Sequence, residues 1–148
     1  MAEEWRRGEF VISTDKRRID LQAVHAFLIT SYWARDVPLA VVERAIEHSM
    51  VFGLYHGSSQ AGFARVITDR ATFAYISDVF ILEQHRGLGL GQWLIDVILG
   101  HPELQGLRRW LLATRDAHGL YAKAGFTPLN APERFMEIWH PDVYQRDS

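Results

Sequence analysis

The sequence contains no cysteine, which excludes disulfides, thiolate metal sites and a cysteine nucleophile. It also lacks any apolar run that approaches the length of a membrane span, and the N-terminus MAEEWRRGEF has no signal-peptide core. The seven histidines show no metal-ligand spacing such as HExxH. These absences predict a cytoplasmic protein that has no metal ion and no membrane partner.

The sequence also has no large excess of positive or negative charge. It contains 16 lysines and arginines and 18 acidic residues, for a net charge of −2, so no overall attraction to nucleic acid is expected. Internal repeats and linker-like composition breaks are not found either. With 148 residues and a hydrophobic share of 48%, the chain is predicted to form a single domain over residues 1–148, in which residues 1–8 are expected to be flexible.

Apolar periodicity and the positions of glycine and proline predict the element order βααβββαβαββ, a mixed α/β fold. Helices are expected at residues 19–33, from Pro38 onward, at 91–99 and at 117–124. Strands are expected at residues 10–13, 50–55, 60–67, 72–82, 109–113, 126–129 and 134–139.

A glycine-rich turn, EQHRGLGLGQWL, joins the strand at 72–82 to the helix at 91–99. Glycine lets the backbone approach a ligand closely, and the first turn of a helix offers unpaired N–H groups to an anion. Neither the P-loop nor the dinucleotide fingerprint GxGxxG matches Gly87, Gly89 and Gly91. On spacing alone, a plain strand-to-helix turn is as good an interpretation as a phosphate site.

A second motif lies one βαβ step later, where a short helix carries Tyr121 and stops at Gly125-Phe126. Residues 86–91 have the form Arg-x-x-Gly-x-Gly, and residues 121–126 have the form Tyr-x-x-x-Gly-Phe. With these two motifs in this order, the chain resembles the GNAT superfamily of acetyl-CoA-dependent N-acetyltransferases. The element order is similar to that of the family from about Phe10 to Trp139, which is nearly the whole chain.

The resemblance implies that acetyl-CoA lies in a V-shaped opening where the strands at 72–82 and 109–113 splay apart. Backbone groups of Val79 and Ile81 would pair with the pantetheine arm, and N–H groups of the glycine-rich turn would hold the pyrophosphate. Thr114 stands where many family members carry asparagine. The implied cofactor-binding residues are Val79, Ile81, Arg86, Gly87, Leu88, Gly89, Leu90, Gly91, Gln92, Thr114 and Lys123.

The resemblance also implies transfer of the acetyl group to a primary amine by direct attack in a ternary complex. The backbone N–H of Val79 would polarise the thioester carbonyl, and Tyr121 would protonate the leaving thiolate. Asp78 is a candidate base, acting directly or through water, although a structural salt bridge is at least as good an interpretation of this residue. A packing role is the alternative for Tyr121.

The acceptor is expected to be a small-molecule or peptide amine, bound by Tyr32, Trp33, Arg35 and Trp139. Burial in the core is the alternative for these aromatic residues. Members of the family are often dimers, so a homodimer stays open. A non-catalytic acyl-CoA-binding or sensing module of the same fold is the second candidate function, and turnover of acetyl-CoA with amines would separate the two. A nucleotide-phosphate binder of another fold is a third, and a sheet without the splay would support it.

Overall fold

Six strands form one sheet whose order follows the chain, in a computed structural model that describes residues 2–145. The strands are β1 (Glu4–Arg7), β2 (Phe10–Ser13), β3 (Met50–His56), β4 (Ser59–Thr68), β5 (Phe73–Ile81) and β6 (Arg109–Leu111). The helices are α1 (Leu21–Leu28), α2 (Leu39–Glu47), α3 (Leu90–Leu99) and α4 (His118–Lys123). Strands β1 to β5 are antiparallel neighbours, whereas β5 and β6 are parallel. The predicted mixed α/β fold is confirmed, with β1 as a strand that the sequence pattern did not predict.

The helices cover both faces of the sheet. Successive residues of a strand point to opposite faces, so neighbouring residues show which helices lie on each face. On β3, Val51 packs in a cluster with Val24 of α1, whereas its neighbour Phe52 packs in a second cluster with Leu94 of α3. Helices α1 and α2 therefore lie on one face, and α3 and α4 lie on the other. No helix within residues 2–145 is long and apolar enough to cross a membrane.

Helix α1 ends at Leu28, five residues before the predicted end at Trp33. The side chains of Thr30 and Ser31 each donate a hydrogen bond of 2.7 Å to the carbonyl three residues earlier, at Phe27 and Leu28. Hydroxyl side chains that bond to nearby backbone in this way compete with the helical ladder. The residues that follow form the α1–α2 loop (residues 29–37), which carries three of the four predicted acceptor residues, Tyr32, Trp33 and Arg35.

Strand β5 contains a bulge in the middle of the sheet. The register with β4 shifts so that Ala64 faces two residues of β5, Asp78 and Val79. Asp78 has a φ of 56°, in the left-handed region that few residues other than glycine and asparagine adopt readily. A bulge bends its strand and re-aims the neighbouring groups, and such bulges are common beside active sites.

From residue 76 onward, β5 has no strand neighbour on the side of β6. The parallel pairing covers only Phe73 to Tyr75, opposite Arg109 to Leu111, so residues 76–81 of β5 pair with β4 alone. This confirms the predicted splay of the central sheet.

The two strands predicted for the C-terminal part are wrong for the single chain. Residues 124–131 and 135–142 contain no strand, and Pro132–Arg134 form a 3₁₀ turn. Pro128 and Pro132 have no N–H group to donate to a ladder, and a strand also requires a partner edge that the sequence pattern cannot supply. Residues 135–140 are nevertheless outside any turn or helix.

Candidate active site

A cleft of about 870 Å³ lies where β5 and β6 diverge. Its walls come from the α1–α2 loop, the end of β5, the start of α3 and the segment that leads into α4. The volume is within the range of small-molecule sites. Eight of the sequence-predicted site residues line it: Tyr32, Trp33, Arg35, Val79, Ile81, Arg86, Gly91 and Tyr121.

The backbone of β5 presents hydrogen-bonding groups to this cleft. Leu82 donates its N–H to the Ala61 carbonyl at 2.8 Å. Since bonding to a neighbouring strand alternates along an antiparallel ladder, the N–H and C=O of Ile81 point the other way, towards the cleft. Val79, next to the bulge, also lines the cleft. Arg86 donates its Nε–H to the Ile81 carbonyl at 2.9 Å, so the carbonyl already has a partner.

The N-terminus of α3 faces the same region with unpaired backbone donors. The first helical hydrogen bond runs from Trp93 N–H to the Gly89 carbonyl at 3.1 Å, which leaves the N–H groups of Leu90, Gly91 and Gln92 without helical partners. Gly89 has no side chain to cap them, and the first turn contains no acidic residue. The positive end of the helix dipole adds to the attraction for an anion.

The three glycines of the turn differ in what they require. Gly87 and Gly89 have φ angles of 84° and 75°, where a side chain would strain the backbone. A Cβ on Gly91 would lie 3.8 Å from Leu120, which is an ordinary contact. Backbone conformation therefore explains Gly87 and Gly89, while Gly91 is a helical position that tolerates alanine.

The other predicted cofactor contacts in this turn are Leu88, Leu90 and Gln92, and their backbone groups are better placed to bind a ligand than their side chains. Leu88 is 54% exposed, and the side chain of Leu90 lies in the core. Gln92 donates its side-chain N–H to Asp96 at 3.0 Å, while its Oε1 is buried without a partner among residues 2–145. These three residues stay predicted cofactor contacts, with Leu90 and Gln92 acting through N–H groups of the helix start.

Thr114 and Lys123 lie at the two ends of the α4 region. The Thr114 hydroxyl accepts a hydrogen bond from the Ala117 N–H at 3.1 Å, which stabilises the turn into α4. Lys123 is the last residue of α4 and its side chain is exposed. Neither residue lines the cleft, and both stay predictions as cofactor contacts.

Tyr121 is almost buried, with 9% of its surface exposed, and its ring meets the edge of Phe126 at 5.9 Å. Burial, with a smaller contribution from nearby Tyr32, raises the pKa of Tyr121 to about 12. The hydroxyl has no hydrogen-bond partner among the described residues, although the ring lines the cleft. At neutral pH the phenol is therefore protonated, which is the form required of a proton donor.

Asp78 is held by donors on both of its oxygens. Arg65 donates from Nε to Oδ2 at 2.8 Å, and Trp33 donates its indole N–H to Oδ1 at 2.7 Å. The Arg65 and Asp78 side chains are only 16% and 10% exposed. Arg65 also contacts the Ser49 and Ser77 hydroxyls at 3.2 and 3.4 Å. The structure thus shows the salt bridge that the sequence left as the alternative, with both oxygens of the carboxylate held by donors.

No local pattern points to Arg65, because its partner lies 13 positions away on the neighbouring strand. Arg115 was missed for the same reason. The backbone N–H of Arg115 donates to the Tyr32 hydroxyl at 2.9 Å, and the Arg115 guanidinium lies 3.9 Å from the centre of the Tyr32 ring. Trp33 then meets the edge of Tyr32, with the ring centres 5.1 Å apart. The α1–α2 loop is therefore attached to both β5 and the segment before α4.

Two other predicted acceptor residues have different placements. Arg35 lines the cleft with an exposed side chain, and its carbonyl accepts from the Gln145 side chain at 2.9 Å. Trp139 is 73% exposed and lies outside the cleft of the single chain. The structure thus brings Tyr32, Trp33 and Arg35 together and does not bring Trp139 to them.

A cluster of Glu3, His101 and Glu103 lies apart from the cleft. The Nδ1 of buried His101 accepts from the Glu103 N–H at 3.0 Å, so Nε2 is the nitrogen that donates to Glu3, at 3.1 Å. Both ring nitrogens are engaged in joining the N-terminal strand to the end of α3. Hydrogen bonds within the fold therefore account for this cluster.

Comparison with known proteins gives concordant matches. Residues 47–128 match the family model described as "Acetyltransferase (GNAT) domain". A Gibberella zeae protein named "Putative acetyltransferase" is 34% identical over 144 residues, which cover 82% of this chain and 80% of the relative.

Solved structures agree. A Xanthomonas campestris protein, described as "a putative acetyltransferase belonging to the gnat family", is 51% identical with a TM-score of 0.89, over 91% of this chain and 96% of that chain. A predicted acetyltransferase of Clostridium acetobutylicum, solved with acetyl-CoA, shares the fold at a TM-score of 0.60 and 13% identity, over 93% and 96% of the two chains.

Proposed function

The chain belongs to the GNAT family of acetyltransferases, and from the geometry of the cleft we propose that it transfers the acetyl group of acetyl-CoA to a primary amine by direct attack in a ternary complex. One observation supports this most strongly. The cleft between β5 and β6 brings together β5 backbone donors, the N-terminus of α3 and the protonated Tyr121. The Clostridium relative solved with acetyl-CoA has the same fold.

The residues of the cleft suit acetyl-CoA at three points. The N–H groups of residues 90–92 suit the pyrophosphate, and the left-handed Gly87 and Gly89 leave the backbone open to approach. Val79 and Ile81 line the cleft where β5 has no partner on the side of β6, so the backbone there suits an extended amide chain, which pairs with β5 as an added strand would. Arg86 lies beside this path, with its guanidinium oriented by the Ile81 carbonyl.

During the reaction, the C–N bond forms while the C–S bond breaks. The Val79 N–H donates to the carbonyl oxygen as negative charge develops on it, and one such donor contributes about 3 kcal/mol to catalysis. Tyr121 gives its phenolic proton to the leaving thiolate. The burial that raises the pKa of Tyr121 also disfavours a thiolate in the same cleft, so both groups are shifted in the same direction.

The amine must lose a proton before or during attack, since an alkylammonium ion has no free lone pair. We assign that proton to water in the cleft rather than to Asp78, because Asp78 does not line the cleft and its side chain is held by Arg65 and Trp33. The acceptor binds beside Tyr32, Trp33 and Arg35, an aromatic wall with one exposed cation. This wall favours an amine with an apolar body or a carboxylate.

The test is release of free CoA thiol from acetyl-CoA with a panel of amines that includes amino acids, polyamines and peptide N-termini. The protein contains no cysteine, so a thiol reagent reports CoA with no contribution from the chain. Amine-dependent thiol release is expected. Tight acetyl-CoA binding without release on any amine would instead favour the non-catalytic binding module.

A further inference from the structure

Two arginines without a carboxylate partner flank the glycine-rich turn. Arg86 lies on the cleft side, where its Nε–H donates to the Ile81 carbonyl. Arg7, the last residue of β1, lies on the other side, and its Nη1 is 3.5 Å from the Gly89 carbonyl. Neither guanidinium forms an ion pair with any residue between 2 and 145. The acetyl-CoA path described above passes Arg86 and gives Arg7 no role.

The start of α3 lies between the cleft and Arg7. A Cβ on Gly91 would point to Ile81 and Leu120, at 3.9 and 3.8 Å, and both of these residues line the cleft. A Cβ on Gly89 would instead meet the Nη2 of Arg7 at 3.6 Å, and Arg7 does not line the cleft. A ligand that leaves the cleft across the N-terminus of α3 therefore reaches Arg7 next.

The guanidinium of Arg7 is oriented by the fold, although the side chain is exposed. Its carbon lies 5.9 Å from the ring centre of Trp93 in α3, and its Nη1 points to the Gly89 carbonyl. The backbone is fixed as well, because β1 pairs with β2 up to Arg7, opposite Phe10. These contacts use only part of the N–H fork, so donors remain available to an anion.

An aromatic surface adjoins Arg7 at the same end of the sheet. The ring of Phe10, the register partner of Arg7, stacks on the ring of His56 with the centres 4.7 Å apart. His85 meets the Phe10 ring at 5.7 Å. The carboxylate of Glu9 contacts His56 at 3.3 Å and does not pair with Arg7. Partly exposed rings beside an unpaired cation suit the base and the phosphate of a nucleotide.

We propose that Arg7 binds the 3′-phosphate of acetyl-CoA and thereby selects this coenzyme over forms that lack that phosphate. This role rests on the proposed function, because it extends the path of acetyl-CoA from the cleft across the start of α3. In coenzyme A the adenosine follows the pyrophosphate, and its ribose carries the 3′-phosphate. With the acyl group at Tyr121 and the pyrophosphate at residues 90–92, the nucleotide continues on the side of Arg7. A guanidinium binds a phosphate through charge-assisted, bidentate hydrogen bonds.

The experiment measures the affinities of acetyl-CoA and of 3′-dephospho-acetyl-CoA by calorimetry, which does not depend on turnover. We expect the wild-type protein to bind the dephospho form about tenfold more weakly, because a hydrogen bond to a charged group is lost. Arg7→Gln should bind acetyl-CoA about tenfold more weakly than the wild type and leave the affinity for the dephospho form unchanged. The two forms should then bind alike.

Arg6→Gln is the matched control. It removes the same charge one residue earlier, from a side chain that points to the opposite face of the sheet and pairs with Glu4 at 3.1 Å. This variant should keep the wild-type preference for acetyl-CoA. The same loss of preference in both variants would indicate a general effect of charge and would overturn the role of Arg7. Thermal unfolding of each variant confirms that it is folded.

Two further outcomes would also overturn this role and leave the proposed function intact. One is equal weakening of both ligands by Arg7→Gln, which would show that Arg7 supports the turn or the pyrophosphate. The other is a wild-type protein that binds both ligands equally well. A wild-type protein that binds neither ligand would contradict the proposed function, and the role of Arg7 with it.

Discussion

Asp78→Asn and Asp78→Ala are expected to behave differently, because they remove different parts of what this carboxylate does. Alanine removes the partner of Arg65, and breaking a buried ion pair costs about 3–5 kcal/mol. It must also adopt a φ of 56°, at a cost of about 1–2 kcal/mol. Because the whole free energy of unfolding of a domain is about 5–15 kcal/mol, Asp78→Ala should lose much of the stability.

Asparagine keeps an oxygen that can accept from Arg65 or Trp33, and it tolerates the left-handed backbone. Both substitutions remove the negative charge beside Arg65, so we expect Asp78→Asn to be destabilised as well, but by about 1–2 kcal/mol less than Asp78→Ala. A double variant, Arg65→Leu with Asp78→Gly, removes both charges and the backbone strain together. It should be about 3 kcal/mol more stable than Asp78→Ala, since replacing both members of a buried pair costs much less than orphaning one.

Urea unfolding monitored by circular dichroism gives these differences, and the acetylation rate of the same variants decides the role of Asp78. If Asp78 positions the bulge, Asp78→Asn keeps the rate within about tenfold, whereas loss of a general base lowers rates by about 10²–10⁴. A stable Asp78→Asn protein with a thousandfold lower rate would refute the positioning role. Equal destabilisation by asparagine and alanine would refute the contribution of the retained acceptor and of the left-handed backbone angle.

Three further predictions concern the cleft. Tyr121→Phe should lower the acetylation rate about 10²-fold and leave acetyl-CoA affinity, measured by calorimetry, unchanged. An unchanged acetylation rate in Tyr121→Phe would remove Tyr121 from the mechanism. Because burial raises the pKa of Tyr121 to about 12, the phenol keeps its proton, and the wild-type rate should show no decline from phenol ionisation up to about pH 10. Gly89→Val should weaken acetyl-CoA binding about tenfold or more, because valine is strained at a φ of 75°. Gly91→Ala is the control and should bind acetyl-CoA normally. Equal acetyl-CoA affinities of the two variants would contradict the anion site. Trp33→Phe loses the hydrogen bond to Asp78 and should raise KM for the amine while leaving acetyl-CoA affinity unchanged, and a change in coenzyme affinity alone would argue against an acceptor wall.

Local patterns predicted most of the fold. The β3–β4 hairpin and α3 are encoded within short windows, by alternation, by a turn at Gly57 and by an apolar stripe that ends at Gly100. Helix α1 was predicted too long, because Thr30 and Ser31 fit the periodicity while their hydroxyls bond to the backbone. Periodicity reports which face is apolar, and it does not report this competition.

Contacts between distant parts of the chain could not be predicted. The bulge at Asp78 depends on the register with β4, and the ion pair with Arg65 exists only once that register is set. The C-terminal strands failed for a related reason. An alternating apolar segment indicates that a strand can form, but the edge it pairs with belongs to tertiary or quaternary structure, so neither residues 134–139 nor the position of Trp139 could be assigned from the pattern.

The attachment of Tyr32 to Arg115 has a consequence for timing. One hydrogen bond to a backbone N–H and one cation–π contact hold the α1–α2 loop against the segment before α4. Breaking these two contacts costs about 1–2 kcal/mol, so we expect a few per cent or more of molecules to have Tyr32 detached from Arg115 at any moment, while Trp33 still holds the loop to β5. Loops exchange between such states in microseconds to milliseconds, which is faster than the turnover of most enzymes. Passage of the amine and its product along this wall should therefore not limit the rate, and chemistry or CoA release should.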